Sequence, residues 1–236
     1  MRTNPTGWLV AREDWREKFA VHAARAPEGP LQAFYRSELP APDCPLSDVS
    51  MVSIDLETTG LDPDRDSIVS IGSVYLDTER IRCRDAHHWI FRPDASLSSV
   101  SVTIHAITHS AVSRSPELES RFDDILDILA GRIVVAHFAP IERRFLQEAA
   151  RRIYGYPLLF PIIDTMELER RHYRKGLRGL FSRVGSLRLD ACRSRLNLPR
   201  YKAHHALTDA LATAELLQAQ VAHRYRPTDP ISKFWV

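Results

Sequence analysis

Apolar and polar positions along the chain alternate between two periods. Val49-Ser-Met-Val-Ser-Ile-Asp55 is a short β-branched, apolar run that ends in acids, the signature of a buried strand. Ile68 to Leu76 predicts a second strand, and Gly60 with Asp62-Pro63 predicts the turn between the two. His87 to Phe91 closes a third strand, Arg132 to Ala136 forms a fourth, and Leu159 to Ile163 a fifth. Leu118, Phe122, Ile125, Leu126 and Leu129 share one helical face. Ser115-Pro116 reads as that helix's start and Gly131 as its end. Further helices are expected from about Pro140 to Arg152 and from about Leu207 to His223. Strands first, then strands alternating with helices, predict an α/β sandwich around a mixed sheet.

The first 48 residues follow another pattern. Trp8, Trp15, Phe19 and His22 recur near helical spacing. Pro27, Pro30, Pro40, Pro42 and Pro45 then predict extended or turn-rich chain. The expected organisation is a helical N-terminal extension and Pro-rich linker over 1–48, lying against one domain over 49–236. That extension is also where a protein partner would dock.

Composition narrows the class. The 236 residues are 44% hydrophobic and 26% charged, ordinary for a globular chain. No apolar run is long enough to span a membrane, and the charged first residues hold no signal-peptide core. Cys44, Cys83 and Cys192 suggest neither a disulfide framework nor a zinc site, which fits a reducing cytoplasm. Only four of the 32 basic residues are lysine. Arginine forks match phosphate geometry and so allow a nucleic-acid partner. A GC-rich genome explains the bias as well, and net charge +2 is not that of a polyelectrolyte binder.

The candidate chemistry sits at element ends. Asp55 and Glu57 close the first strand, and alternation puts both on one face. Such a pair repels itself unless a cation intervenes, and a hard ion, Mg²⁺ or Mn²⁺, takes such oxygen ligands. Thr58-Thr59-Gly60 follows, small enough for a substrate to approach the backbone. Glu142 lies near the start of a helix after a buried strand. There an acid either favours the dipole or faces a site. His204 and Asp209 flank the start of the last helix, near enough to reach one cleft.

Several of these segments together resemble the DnaQ-like (DEDDh) 3′–5′ exonucleases of the ribonuclease H-like superfamily. Ser53-Ile-Asp-Leu-Glu-Thr-Thr-Gly-Leu61 is similar to that family's first motif, and His204-His-Ala-Leu-Thr-Asp-Ala210 to its third. Ile104-His-Ala-Ile-Thr-His109 and Ile163-Asp-Thr165 resemble segments between them. The second motif departs from the usual His-Asn-x-x-Phe-Asp. Here it reads His137-Phe-Ala-Pro-Ile-Glu142, with Phe138 for asparagine and Glu142 for aspartate. The charge is kept one methylene further out, and a polar contact is lost at the site's edge. This departure bears on metal geometry and on substrate preference.

The resemblance implies a ribonuclease H-like mixed sheet flanked by helices. It also implies an enzyme that hydrolyses phosphodiesters from a free 3′ end, releasing nucleoside monophosphates. Asp55, Glu57, Glu142 and Asp209 would hold two divalent cations about 3.5–4 Å apart. His204, with a reference pKa near ~6.5, would take a proton from water. His205, out of register with the motif, is expected to be structural or substrate-flanking. Leu56, Thr58, Thr59 and Gly60 would lie against the terminal nucleotide, and His105 either lines the strand's path or packs. The expected substrate is single-stranded or mismatched DNA, favoured over RNA. The alternatives are an RNA or oligoribonucleotide 3′ exonuclease, and a non-catalytic nucleic-acid binder or partner-docking protein on the same fold. Arg143 through Arg178 form a loose basic region, read mostly as solvated helix faces. Tyr173 and Tyr201 are candidates to stack a base, beside their ordinary reading as surface tyrosines. Arg174 to Ser186 reads as a mobile loop near the site.

Overall fold

A computed structural model describes residues 14–93, 113–175, 185–202 and 204–236. His105, Trp8 and most of the expected loop from Arg174 to Ser186 lie outside the described residues. Five strands form one sheet: Met51–Thr58 (β1), Ile68–Leu76 (β2), Ile81–Ile90 (β3), Ile133–Ala136 (β4) and Ile162–Asp164 (β5), in the order β3-β2-β1-β4-β5. β1 pairs antiparallel with β2 and parallel with β4, so it is the central strand where the two halves of the sheet meet. Seven helices are named here: Trp15–Ala23 (α1), Pro30–Tyr35 (α2), Phe122–Leu129 (α3), Pro140–Tyr154 (α4), Thr165–Lys175 (α5), Leu189–Arg195 (α6) and Ala206–Arg224 (α7). The mixed α/β sandwich expected from the pattern is present.

α7 covers the face of β1 on which Ser53, Asp55 and Glu57 stand. The Ser53 hydroxyl donates to the Ala210 carbonyl at 2.7 Å, fixing that helix to the strand. The helix comes unusually close at Gly72, which pairs with Asp55 across β1 and β2. A Cβ at Gly72 would lie 2.2 Å from backbone atoms of Ala206 and Leu207. Only glycine admits that approach. The alternate residues Val52, Ile54 and Leu56 belong to the main hydrophobic core, together with Phe122, Phe145 and Leu146.

The first residues differ from expectation in one respect. Pro30 starts a helix rather than extended chain, because at the first helical position its missing N–H leaves no intrahelical bond unmade. α1 and α2 place Trp15, Phe19, Leu31, Phe34 and Tyr35 in the same core as the sheet. The Tyr35 hydroxyl donates to the Pro157 carbonyl and accepts from the Leu159 N–H. Residues 42–48 then pair with 227–236: Leu46 N–H donates to Asp229 and Ile231 N–H to Cys44. Val236 N–H donates to Ile162, so the last residues also cover the edge of β5.

Three element boundaries move. Pro116 does not start a helix; a 3₁₀ turn over Leu118–Arg121 precedes α3. β3 begins at Ile81, earlier than its apolar end suggested, since its first half is exposed and polar. β5 starts at Ile162, and Leu158 and Phe160 are buried without belonging to it.

Candidate active site

Four acids converge where β1 ends and where α4 and α7 begin. Asp55 and Glu57 stand beyond the buried run of β1, Glu142 sits in the first turn of α4, and Asp209 in the first turn of α7. Carboxylate oxygens of Asp55, Glu57 and Asp209 all lie within 4.8 Å of one another. Glu142 stands outside that trio yet acts on it. Burial first, then the charges of Glu142, Asp209 and Glu57, push the Asp55 carboxyl well above the usual range. Glu142 itself is 4% exposed, and burial raises it to about 8. Its Oε2 is buried with no hydrogen-bond partner among the described residues. A buried, unpartnered carboxylate oxygen beside three more acids is the donor set of a divalent-cation site, so the residues present fit the ions that the sequence implies.

The adjacent histidines do different things. His205 caps α7, its Nδ1 accepting from the Thr208 N–H at 3.4 Å, and its ring packs on His88 at 4.5 Å. His204 is exposed, with φ +69, and its backbone N–H donates to Asp209 Oδ2 at 2.8 Å. Histidine is among the residues that enter this left-handed region more often than most. The bond holds His204 beside the acid that shares its motif.

These residues open on one cleft of about 920 Å³. Asp55, Leu56, Glu142, His204 and Asp209 line it, together with Phe138, Tyr201 and the cations Arg188, Arg193 and Arg200. Thr58, Thr59 and Gly60 are not among the residues that line it and form a self-contained turn. Thr58 Oγ1 donates to the Gly60 carbonyl, and Thr59 Oγ1 donates to Asp66 and accepts from Ser67 N–H. The space a side chain at Gly60 would need is filled by the Asp66 carboxylate, at 2.3 Å. The basic region after the second motif serves mainly helix-face pairs, as with Arg170 and Arg171 on Glu167 and Arg152 on Glu148. The arginines of the cleft come instead from α6 and the segments flanking it.

Sequence reading missed the frame that holds the second motif. Asp164 accepts the N–H groups of Phe138 and Ala139, and also those of Met166 and Glu167 at the start of α5. It thereby fixes the turn that delivers Glu142, with Phe138 held at φ +78. The two ring nitrogens of His137 meet Thr165 Oγ1 and the Leu187 carbonyl, each at 2.8 Å, and burial holds its pKa down. The only signal was the aspartate of Ile163-Asp-Thr165, whose polar side chain follows a buried strand.

A self-repelling carboxylate cluster at the end of the central strand of a mixed sheet, with an exposed histidine beside it, is the arrangement that the resemblance to the ribonuclease H-like class implies. A family model described as Exonuclease (RNase_T) matches residues 52–217, and the chain belongs to that family. The DNA polymerase III PolC-type protein of Thermotoga maritima is 31% identical over 174 residues, 74% of this chain and 12% of that much longer protein. The DNA polymerase III subunit epsilon of Treponema pallidum is 27% identical over 177 residues, covering 74% of this chain and 78% of the relative. Among solved structures, exonuclease X in complex with 5′ overhanging duplex DNA superposes with a TM-score of 0.55 at 28% identity. The match covers 74% of this chain and 92% of that one. The resemblance to the DnaQ-like (DEDDh) 3′–5′ exonucleases is borne out.

Proposed function

We propose that this protein removes nucleotides one at a time from the 3′ end of single-stranded or mismatched DNA. The observation that carries the reading is that Asp55, Glu142 and Asp209 line one cleft with His204, and that Glu57 clusters with Asp55 and Asp209. Asp55, with Glu57, Glu142 and Asp209, would hold two divalent cations, Mg²⁺ or Mn²⁺. When bound, these supply an acidified water and neutralise the charge on the leaving 3′ oxygen. An imidazole nitrogen of His204 would take the proton that water loses. Asp209 orients it through the bond to its backbone N–H. Leu56 borders the terminal nucleotide from the cleft floor, and the turn of Thr58, Thr59 and Gly60 follows it along the chain. The DNA preference is supported by relatives named for DNA polymerase III and by the DNA in the exonuclease X complex.

No helix among the described residues is long and apolar enough to cross a membrane. The three scattered cysteines fit a reducing compartment, and on that ground we place the protein in the cytoplasm. A protein partner would meet the outer face of the N-terminal segment, where Val21 is exposed.

The test uses matched DNA and RNA oligonucleotides labelled at the 5′ end, with Mg²⁺ or Mn²⁺ and with or without chelator. A DNA ladder shortened from the 3′ end, abolished by chelator and reduced about 100- to 1000-fold in Asp209→Asn, is expected. Faster shortening of the RNA would replace the DNA reading. An Asp209→Asn variant at wild-type rate would refute the site.

A further inference from the structure

We propose that Tyr201 is a base-stacking platform of the cleft, holding one unpaired base of the bound strand. The inference rests on the nuclease reading above and adds how the strand is gripped. Three observations carry it.

Tyr201 is held rigidly from one side. Its hydroxyl donates to Glu215 Oε1 at 2.8 Å. The Arg193 guanidinium lies 4.7 Å from its ring centroid. Arg193 is only 4% exposed and is itself fixed by Glu215 Oε2 and by the carbonyls of Ala212 and Pro199. A buried cation with all these partners supports one face of an aromatic ring and fixes its position before any ligand arrives.

The ring is nevertheless open on the cleft side. Tyr201 is 39% exposed and lines the same cleft as Asp55, Glu142 and Asp209. Phe138, 44% exposed, lines it too. An aromatic wall open to water is unfavourable until an apolar face covers it, and a nucleobase offers such a face whatever its identity.

The wall is also cationic. Arg200, adjacent in sequence, and Arg188 both line the same cleft and are exposed. Rings for bases beside arginines for phosphates are the pattern of a single-strand path. A base lying on Tyr201 has left any duplex stack, so an unpaired end is the form of strand that fits. Tyr173 makes the contrast: Arg195 also approaches its ring, but it does not line the cleft.

The experiment is a base-removal scan. Single-stranded DNA oligonucleotides each carry one abasic position, moved one nucleotide at a time from the 3′ end. Initial rates give KM and kcat for the wild type, Tyr201→Ala and Tyr201→Phe. Tyr201→Ala is expected to raise KM for the intact oligonucleotide by about tenfold, with a smaller change in kcat, while Tyr201→Phe keeps most of the affinity. In the wild type, one abasic position reproduces that tenfold loss. In Tyr201→Ala the same position costs nothing further. Equal sensitivity of both proteins at every position overturns the platform, and so does a Tyr201→Ala variant whose KM is unchanged or whose loss lies wholly in kcat. A wild type that shortens no oligonucleotide under either cation overturns the nuclease reading instead, and this proposal with it.

Discussion

Glu142 concentrates the electrostatics of the site in one side chain. It is buried, its Oε2 has no hydrogen-bond partner among the described residues, and burial raises its pKa from 4.5 to about 8. Below about pH 4.5 the folded and unfolded chains both carry this proton. Between 4.5 and about 8 only the folded chain keeps it, so each step up in pH lowers stability, and above 8 the penalty is complete. The metal-free protein should therefore melt at progressively lower temperature as pH rises through that window. Glu142→Gln, which cannot ionise, should make the dependence shallower, while the buried Asp55 carboxyl keeps part of it, as thermal unfolding across pH would show. An unchanged slope in the variant would mean that the burial of this carboxylate has no energetic consequence. Cation binding should become tighter over the same window, because the ion competes with the proton. The sequence displayed Glu142 as a charge-conserving departure from a motif. It did not display that the carboxylate is buried, because burial depends on α4 docking over the end of β1. Phe138 is similar. The letter says that asparagine is missing, but only the backbone shows a phenylalanine at φ +78, held there by the Asp164 carboxylate.

At the scale of elements, legibility followed burial. β2 is completely buried apart from Tyr75, and its bounds were readable from the apolar run itself. β3 is exposed over its first half and was seen only at its apolar end. α2 was hidden because a proline was weighed as a breaker when it stands at the one helical position that suits it. Gly72 is a plain case of what a sequence leaves out. A glycine inside a strand marks a close approach, but the sequence does not say by what. The answer is the first turn of α7, which carries Asp209 and follows His204. Gly72→Ala should push that turn off β2 and lower kcat/KM by about 100-fold, since an ångström of misplacement at a reacting centre costs about that much. The protein should remain folded by circular dichroism, with a reduced affinity for divalent cations. Wild-type kcat/KM in this variant would show that the helix start does not depend on the glycine.

Considered as a whole, the molecule does not divide where its sequence pattern changes. Trp15, Phe19, Leu31, Phe34 and Tyr35 come from the first 48 residues, yet they are buried in the core that supports the sheet. Each such side chain is worth about 1.5–3 kcal/mol when buried. A chain restricted to 49–236 should consequently unfold at a much lower temperature than the full chain and bind an apolar dye, with activity lost in proportion. A fragment that melts with the full chain would show that the core is sufficient without α1 and α2. The sequence pattern indicates a helix lying against the domain, but not that its side chains enter the core of the sheet. An amphipathic helix followed by prolines looks the same whether it serves a partner or its own domain.

The pairing of 42–48 with 227–236 has a consequence for how the protein is made. On the ribosome, Cys44 and Leu46 emerge long before their partners Asp229 and Ile231. The growing chain can assemble β1 to β4 and still leave this seam open. The contact that closes it joins residues far apart in sequence and is among the slowest kinds to form. A product cut short before residue 227 would expose both the unpaired backbone of 42–48 and the bare edge of β5. Quality control would see such a product as an aggregation-prone edge, although Asp55, Glu57, Glu142 and Asp209 had already been made.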